Sequence, residues 1–233
     1  KSKGLIGYRE INNNKIGKMK IAYEAKRHLS FPFIFKHNDE YYMMPEYSEG
    51  KELFLLKATH FPDEWEKIES WMNGKRLVDS ALLNYGGNHY LLTQELKSGY
   101  SSAELSVFTQ RDGEWVSHKK NPVVKSFANS RLAGKTFLEK NQLIRVSQDC
   151  QDGYGTKLHF NNILKLSEDE YEEEMFRTIS VDDIMMDSKE SFCGIHTYNF
   201  DERYEVVDLK NPDRIRIGNI LNIMWKIISR LKK

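Results

Sequence analysis

Three carboxylates in the sequence stand at positions from which acid–base chemistry could be carried out. Asp79 lies at the start of one predicted strand, Glu46 ends another, and Asp149 directly follows Gln148 at the end of a third. Catalysis by carboxyl groups commonly uses two of them, one as proton donor and the other as base or nucleophile. Aspartate also caps turns, and a glutamate at a strand end can simply be solvated, so a structural role is the alternative for each. These three residues are our candidates for catalytic groups.

Several other polar and aromatic residues are candidates for binding a substrate. The guanidinium of Arg131 could hold a carboxylate, a phosphate or sugar hydroxyls through paired hydrogen bonds, or could instead form a salt bridge to Asp79 or Asp149. His196 could bind sugar hydroxyls or transfer protons near neutral pH, and its alternative role is a buried histidine bonded to a backbone carbonyl. The remaining candidates are Gln148, Tyr154, whose ring could stack on a sugar or pack in the core, and His28.

Metal and cofactor chemistry have no support in the sequence. The seven histidines show no close spacing typical of zinc ligands, and no glycine-rich phosphate loop precedes a helix. Neither Cys150 nor Cys193 carries the signature of a catalytic nucleophile. We therefore predict no metal and no cofactor.

The elements that must position these residues are short β-strands, because apolar and polar residues alternate with a period of two. Glu46, Gln94 and Gln148 fall in register when the hairpins are aligned, with separations of 48 and 54 residues. Self-similarity at roughly 40–50 residues, with four strands per unit, is typical of β-propeller blades. The predicted inner hairpins are Phe33–Met44, Ala81–Leu92, Thr136–Val146 and Cys193–Val207.

A second pair of strands follows most of these hairpins. Trp65 and Trp115 each stand on the last strand of such an outer pair, after a turn. Segments 5–10 and 19–24 form a further outer pair that no inner hairpin precedes. We therefore predict an all-β domain over residues 1–210. Either the two ends of the chain complete one blade together, or the inner hairpin of the first blade is absent from this chain.

The C-terminal region breaks the β pattern. From Ile217 onward, apolar residues recur at helical spacing, and lysines and arginine cluster near the end, which predicts an amphipathic α-helix within residues 211–233. Two interpretations stay open. The helix packs on the domain, or it lies on an anionic membrane surface as a peripheral contact.

Composition excludes several classes of protein. Lys and Arg number 35 against 34 Asp and Glu, which leaves a net charge of +1 and argues against binding to nucleic acid. Two cysteines cannot form a disulfide framework, so a reducing, cytoplasmic location is the expectation, at the inner face of the membrane if the helix binds lipid. No apolar run reaches membrane-spanning length, no signal peptide is evident, and a chain that opens on Lys1 is expected to lack its native N-terminus.

Motifs along the chain now show a resemblance to a known family. The sequence resembles the N-terminal domain family of glucosamine inositolphosphorylceramide transferases, which also occurs in bacterial proteins encoded with surface-polysaccharide genes. That domain is similar to the five-bladed β-propellers of glycoside hydrolase families 43, 32 and 68. The motifs are His28-Leu29-Ser30-Phe31-Pro32-Phe33, Tyr42-Met43-Met44-Pro45-Glu46, Val78-Asp79, Arg131-Leu132-Ala133-Gly134, Gln148-Asp149-Cys150, Tyr154-Gly155 and Gly194-Ile195-His196-Thr197.

The resemblance implies a five-bladed β-propeller that binds a glycan or glycosyl donor in a central funnel and hydrolyses or transfers a sugar. It also implies surface-polysaccharide assembly enzymes as partners. The family usually begins with an inner hairpin carrying an Ala-Asp-Pro-Phe motif, which this sequence lacks. In family 43-like propellers the aspartate of the first blade is the general base. The alternative is therefore a non-catalytic glycan-binding or scaffold domain for a partner glycosyltransferase.

Overall fold

The protein, described by a computed structural model, is built almost entirely of short β-strands. The structure describes residues 3–97, 103–184, 191–212 and 224–229. Strands dominate these ranges, and the helical residues in them are 3-10 helix, as at Ser48–Gly50 and Val181–Asp183, so the predicted all-β class is confirmed. The strands are β1 (Ile6–Tyr8), β2 (Ile11–Asn12), β3 (Lys15–Ile16), β4 (Lys20–Tyr23), β5 (Ser30–His37), β6 (Glu40–Glu46), β7 (Phe54–His60), β8 (Glu64–Ser70), β9 (Leu77–Tyr85), β10 (Asn88–Glu95), β11 (Glu104–Arg111), β12 (Glu114–Ser117), β13 (Val124–Lys125), β14 (Arg131–Leu132), β15 (Phe137–Glu139), β16 (Gln142–Asp149), β17 (Lys157–Leu166), β18 (Tyr171–Ile179), β19 (Gly194–Phe200), β20 (Tyr204–Lys210) and β21 (Met224–Ser229).

The chain divides into two compact units, and the division falls within β9 and β10. The described part of the first unit is 3–80 with 95–97. It contains the antiparallel pair of β1 and β4, the small hairpin of β2 and β3, and the four-stranded antiparallel meander β5-β6-β7-β8. The predicted outer pair before the first hairpin is thereby confirmed as β1 and β4.

The second unit holds the sheets formed from the rest of the chain. Their strand orders are β12-β11-β10-β9 with β13 paired to β11, β14-β16-β17-β18 with β15 paired to β16, and β19-β20-β21. All of these neighbours for which a register is given run antiparallel. Each sheet is therefore made of strands that lie close together in sequence, and all four predicted inner hairpins are present.

The hairpin turns are tight because their two central residues adopt left-handed backbone conformations. Gly86 and Gly87, at the turn predicted between β9 and β10, have φ of +58° and +77°. Two consecutive positive φ angles match the right-handed twist of the flanking strands, and Gly, Asn and Asp accept them most readily. The same arrangement recurs at Asn13-Asn14, Asn38-Asp39, Asp112-Gly113 and Lys140-Asn141.

Along the strands, buried residues alternate with more exposed ones, and the buried residues form an apolar core in each unit. In β11, Leu105 and Val107 are buried whereas the residues beside them are half-buried, as a strand with one covered face requires. The core cluster of the first unit consists of Ile6, Leu29, Met43, Phe54 and Leu56. That of the second unit consists of Ala133, Ile144, Val146, Leu158, Phe160, Ile195, Val207 and Leu209.

The C-terminal helix predicted for 211–233 is not what the structure shows over Met224–Ser229. These residues form β21, which pairs antiparallel with β20 from Tyr204↔Ser229 to Leu209↔Met224. The edge strand of a sheet offers unpaired backbone N–H and C=O groups with which another segment can form hydrogen bonds, and the spacing of apolar residues does not reveal such a partner. The isoleucines of this segment are β-branched, and such residues favour strands. Residues 213–223 and 230–233 of the predicted helix lie outside the described residues. No helix in the described part of the chain is long and apolar enough to cross a membrane.

Candidate functional site

Two of the predicted catalytic carboxylates are neighbours in the first unit. Glu46 is the last residue of β6, and Asp79 is the third residue of β9. The backbone N–H of Asp79 donates a hydrogen bond to Glu46 Oε2 at 3.3 Å, and the Ser48 hydroxyl donates to Glu46 Oε1 at 3.3 Å. Asp79 is only 3% exposed, whereas Glu46 is half-buried. The fold therefore brings the carboxylate of the partly accessible Glu46 to the backbone of the buried Asp79.

Asp79 occupies this place because the backbone of its strand leaves the extended conformation there. Its φ is +48°, and Phe31, the second residue of β5, has a similar φ of +40°. The ladder between β5 and β6 is irregular at this level, between Ser30 and Phe33. Aspartate tolerates a left-handed conformation better than most residues, since its short polar side chain can bond locally.

Three predicted binding residues meet in the second unit. The guanidinium carbon of Arg131 lies 4.9 Å from the centroid of the Tyr154 ring, and the His196 and Tyr154 ring centroids are 5.0 Å apart. Tyr154 is 42% exposed, so part of its ring is open to solvent. Arg131, Tyr154 and His196 are referred to below as the Arg–Tyr–His cluster. They combine a partly exposed tyrosine with two groups that can bond to oxygen.

Separate elements bring this cluster together. Arg131 begins β14, and His196 is the third residue of β19. Tyr154 lies in the connection between β16 and β17, where Lys210 Nζ donates to its backbone carbonyl at 3.2 Å. The backbone carbonyl of the next residue, Gly155, accepts a hydrogen bond from the Ile195 N–H at 2.9 Å, and this bond holds the connection against β19. Residues distant in sequence thus converge through the starts of neighbouring inner strands.

Asp208 stands behind His196 and was not among the residues predicted from the sequence. It lies on β20, is 0% exposed, and its Oδ2 is 2.5 Å from His196 Nδ1. Its Oδ1 accepts hydrogen bonds from the backbone N–H groups of His196 and Thr197 and from the Thr197 hydroxyl, at 3.2, 2.6 and 2.9 Å. The signal that could have revealed it is a single carboxylate within the apolar run from Val206 to Leu209.

Asp149, the third predicted catalytic carboxylate, belongs to a different network. Its Oδ1 accepts the Gln151 N–H at 2.9 Å, and its Oδ2 lies 3.3 Å from His159 Nε2. The other ring nitrogen of His159 is 2.8 Å from the Thr178 hydroxyl. Asp149 and His159 are each 6% exposed, so this chain of polar groups across β16, β17 and β18 is largely closed to solvent. The sequence did not single out His159, which sits between two buried apolar residues.

Two further predicted binding residues make hydrogen bonds inside the fold. Gln148 is 0% exposed, and its Nε2 donates to the Leu132 carbonyl at 2.9 Å, which joins β16 to β14. His28 Nδ1 accepts the backbone N–H of Gly4 at 2.8 Å. The Gln148 bond thus holds two strands together, and the His28 bond ties residue 28 to the N-terminal segment.

Among the described residues no group of three or more His, Cys, Asp or Glu side chains could hold a metal ion. The second unit has a cavity of about 340 Å³ near the turn between β9 and β10, away from the residues predicted from the sequence. It is lined by Tyr85, Gly86, Asn88, Tyr90, Leu166, Ser167, Glu168 and Asp169.

Comparison with solved structures defines the class of fold. Over 87% of this chain and 38% of the other, the structure is similar to the "Bacteroides ovatus Xyloglucan PUL GH43B" protein, with a TM-score of 0.54 and 14% identity. It is also similar to the RS223 β-xylosidase, with a TM-score of 0.56, 11% identity and coverage of 87% and 75%. It is similar as well to the Bacillus subtilis arabinanase Arb43A, with a TM-score of 0.51 and 13% identity over 82% of this chain and 69% of that one. The all-β fold is thus that of the propeller-type glycoside hydrolases of family 43.

The family model for the N-terminal part of glucosamine inositolphosphorylceramide transferase 1 matches residues 3–211. The chain is 34% identical over 222 residues to the protein of that name from Arabidopsis thaliana, covering 87% of this chain and 27% of that one. It is 39% identical over 159 residues to the protein of the same name from Oryza sativa subsp. japonica, covering 66% and 21%. The chain therefore belongs to this N-terminal domain family, and it spans about a quarter of the curated relatives that it matches.

Proposed function

We propose that this chain is a carbohydrate-binding domain whose ligand, a glycan or glycosyl donor, is held at the Arg–Tyr–His cluster. The observation that carries the proposal is the exposed Tyr154 ring flanked by Arg131 and His196. An aromatic face packs well against the apolar face of a sugar ring, and a few convergent polar groups then fix its orientation. Arg131 and His196 supply such groups toward hydroxyl oxygens.

The known relatives support a role with carbohydrates. The curated relatives are named glucosamine inositolphosphorylceramide transferase 1, and two of the structural neighbours are named as a β-xylosidase and an arabinanase. We propose the five-bladed form of their fold for this chain, with β1 and β4 in the first blade. We also propose polysaccharide-assembly enzymes as partners, in the cytoplasm or at the inner face of the membrane.

Replacing Tyr154 by alanine is expected to weaken sugar binding about tenfold or more, because it removes the stacking surface of the cluster. Isothermal titration calorimetry of the full chain with a glucosamine tetramer, xylotetraose and arabinotetraose measures the effect. Tyr85→Ala is the matched control, since Tyr85 is 38% exposed but lies at the separate cavity. Its affinity should stay within about twofold of the unaltered chain. Equal losses in both variants, or no binding of any of the three sugars, would contradict the proposal.

A second candidate function is catalysis of sugar hydrolysis or transfer by Asp79 and Glu46. The observation that favours it is their adjacency in the first unit, with Asp79 buried and in a left-handed conformation. Strained backbone at a polar residue is frequent at functional sites. Two carboxylates in different environments can divide the roles of acid and base.

If these carboxylates are catalytic, Asp79→Asn and Glu46→Gln should each lower turnover about 100-fold or more, since acid–base catalysis contributes that much. Release of p-nitrophenol from p-nitrophenyl xyloside, arabinofuranoside and glucosaminide measures turnover. Both substitutions preserve shape, and asparagine accepts the conformation of Asp79. The control is Glu49→Gln, an exposed carboxylate close to Glu46. Sugar binding without release of p-nitrophenol by the unaltered chain would select the non-catalytic function.

A further inference from the structure

Asp208 controls both the backbone and the side chain of His196. It faces the point where the ladder between β19 and β20 is irregular, between Ile195 and Tyr198. Its Oδ1 holds the backbone N–H groups of His196 and Thr197, which lie in that irregularity. A β-bulge re-aims the side chain it carries, so fixing the bulge fixes where His196 points.

The second oxygen of Asp208 determines where the imidazole carries its proton. Oδ2 has no hydrogen bond of standard geometry within the described residues, yet it is buried and lies 2.5 Å from His196 Nδ1. An unprotonated ring nitrogen and a carboxylate oxygen would repel each other at this distance, because both carry lone pairs and partial negative charge. The proton of a neutral His196 ring must therefore be on Nδ1, facing Asp208.

We propose that Asp208 is a positioning residue that holds His196 in the tautomer protonated at Nδ1, which leaves Nε2 as a hydrogen-bond acceptor for the ligand. This inference rests on the proposed function of the Arg–Tyr–His cluster. A neutral His196 so held accepts a hydrogen bond from a hydroxyl and cannot donate one to an anionic group. The ligand group that it contacts is therefore a hydrogen-bond donor such as a sugar hydroxyl, whereas the guanidinium of Arg131 can only donate.

Replacing Asp208 by asparagine, which exchanges one carboxylate oxygen for an NH2 group, tests the proposal. In Asp208→Asn, the amide oxygen can retain the backbone bonds of Oδ1, and the NH2 group then faces His196 Nδ1 as a donor. The ring must respond by accepting at Nδ1 and carrying its proton on Nε2. The substitution therefore inverts the tautomer while it keeps the shape of the side chain.

Long-range proton–nitrogen NMR of the full chain with ¹⁵N-labelled histidine measures the tautomer without any ligand. We expect Nδ1 protonated in the unaltered chain and Nε2 protonated in Asp208→Asn. Asp201→Asn is the matched control, because Asp201 lies in the exposed turn of the same hairpin and accepts the backbone N–H groups of Arg203 and Tyr204. That variant should keep the original tautomer.

An Nε2-protonated His196 in the unaltered chain overturns the proposal, and this measurement does not depend on whether a variant folds. An unchanged tautomer in a folded Asp208→Asn variant also overturns it. The second readout is affinity for whichever of the three tetrasaccharides binds, which should fall about tenfold in Asp208→Asn and stay unchanged in Asp201→Asn. If the tautomers are as expected but no sugar binds, the role of Asp208 in positioning His196 is supported and the proposed function is refuted.

Discussion

Replacing Arg145 by methionine is expected to lower the free energy of unfolding by about 3–5 kcal/mol, because it leaves a buried carboxylate without its counter-charge. Arg145 lies on β16 and is 0% exposed. Its Nε and Nη2 donate to the two carboxylate oxygens of Glu173 on β18 at 2.7 and 2.5 Å, and Nη2 also donates to the Asn129 carbonyl at 2.8 Å. Burial alone raises the pKa of Glu173, but the charge and hydrogen bonds of Arg145 outweigh it and hold this pKa below the ordinary value.

Urea unfolding followed by circular dichroism measures the loss for Arg145→Met. The control is Arg111→Met, which removes an exposed ion pair with Glu168 and should cost no more than about 1 kcal/mol. The double variant Arg145→Met with Glu173→Leu should recover part of the loss, since it removes the stranded carboxylate. An equal effect of Arg145→Met and Arg111→Met would show that the buried pair does not hold β16 and β18 together.

Replacing Gly155 by alanine is expected to destabilise the fold by about 2–3 kcal/mol, through overpacking and an unfavourable backbone conformation. A Cβ atom at this position would lie 2.3 Å from His196 Cβ, and Gly155 has φ of +61°. Because the β19 backbone must move away, the ring of His196 would also leave its place beside Tyr154. Sugar binding should therefore fall about tenfold or more.

The substitution Gly86→Ala separates the effect of overpacking from the effect of the backbone conformation. Gly86 has nearly the same φ, +58°, but a Cβ there meets nothing within 4 Å. Its loss of stability in urea should be about 1 kcal/mol, with sugar affinity unchanged. If Gly155→Ala costs no more than Gly86→Ala and binds sugar normally, then the close approach of Gly155 to His196 is not needed for the site.

The hairpins could be predicted from the sequence because their causes are local. Turn residues such as Gly86-Gly87 and Lys140-Asn141 stand between stretches of alternating residues, and the structure has a turn at each. The segment Met224–Ser229 was predicted wrongly for the opposite reason. Its apolar spacing fits a helix, whereas its strand depends on the backbone of β20, which a window of neighbouring residues does not contain.

The candidate site could be predicted only as far as strand positions allowed. Arg131 begins β14 and His196 lies near the start of β19, and their convergence follows from that placement. The sequence could not show that the Gln148 side chain bonds to a strand carbonyl inside the fold, because side-chain direction is set by packing. Nor could it show that Asp208 faces His196, since this pairing depends on an irregularity of the β19–β20 ladder. Long-range register therefore accounts for most of what sequence reasoning missed.

The sheet order described above bears on how the chain is made. The strands of every described sheet come from one continuous stretch of sequence. No described sheet therefore needs a strand from a distant part of the chain in order to form. During synthesis, the N-terminal meander of β5 to β8 can fold on the ribosome while β19 is still untranslated. Short loop closures of this kind favour rapid assembly and limit the time for which unpaired edges are open to aggregation.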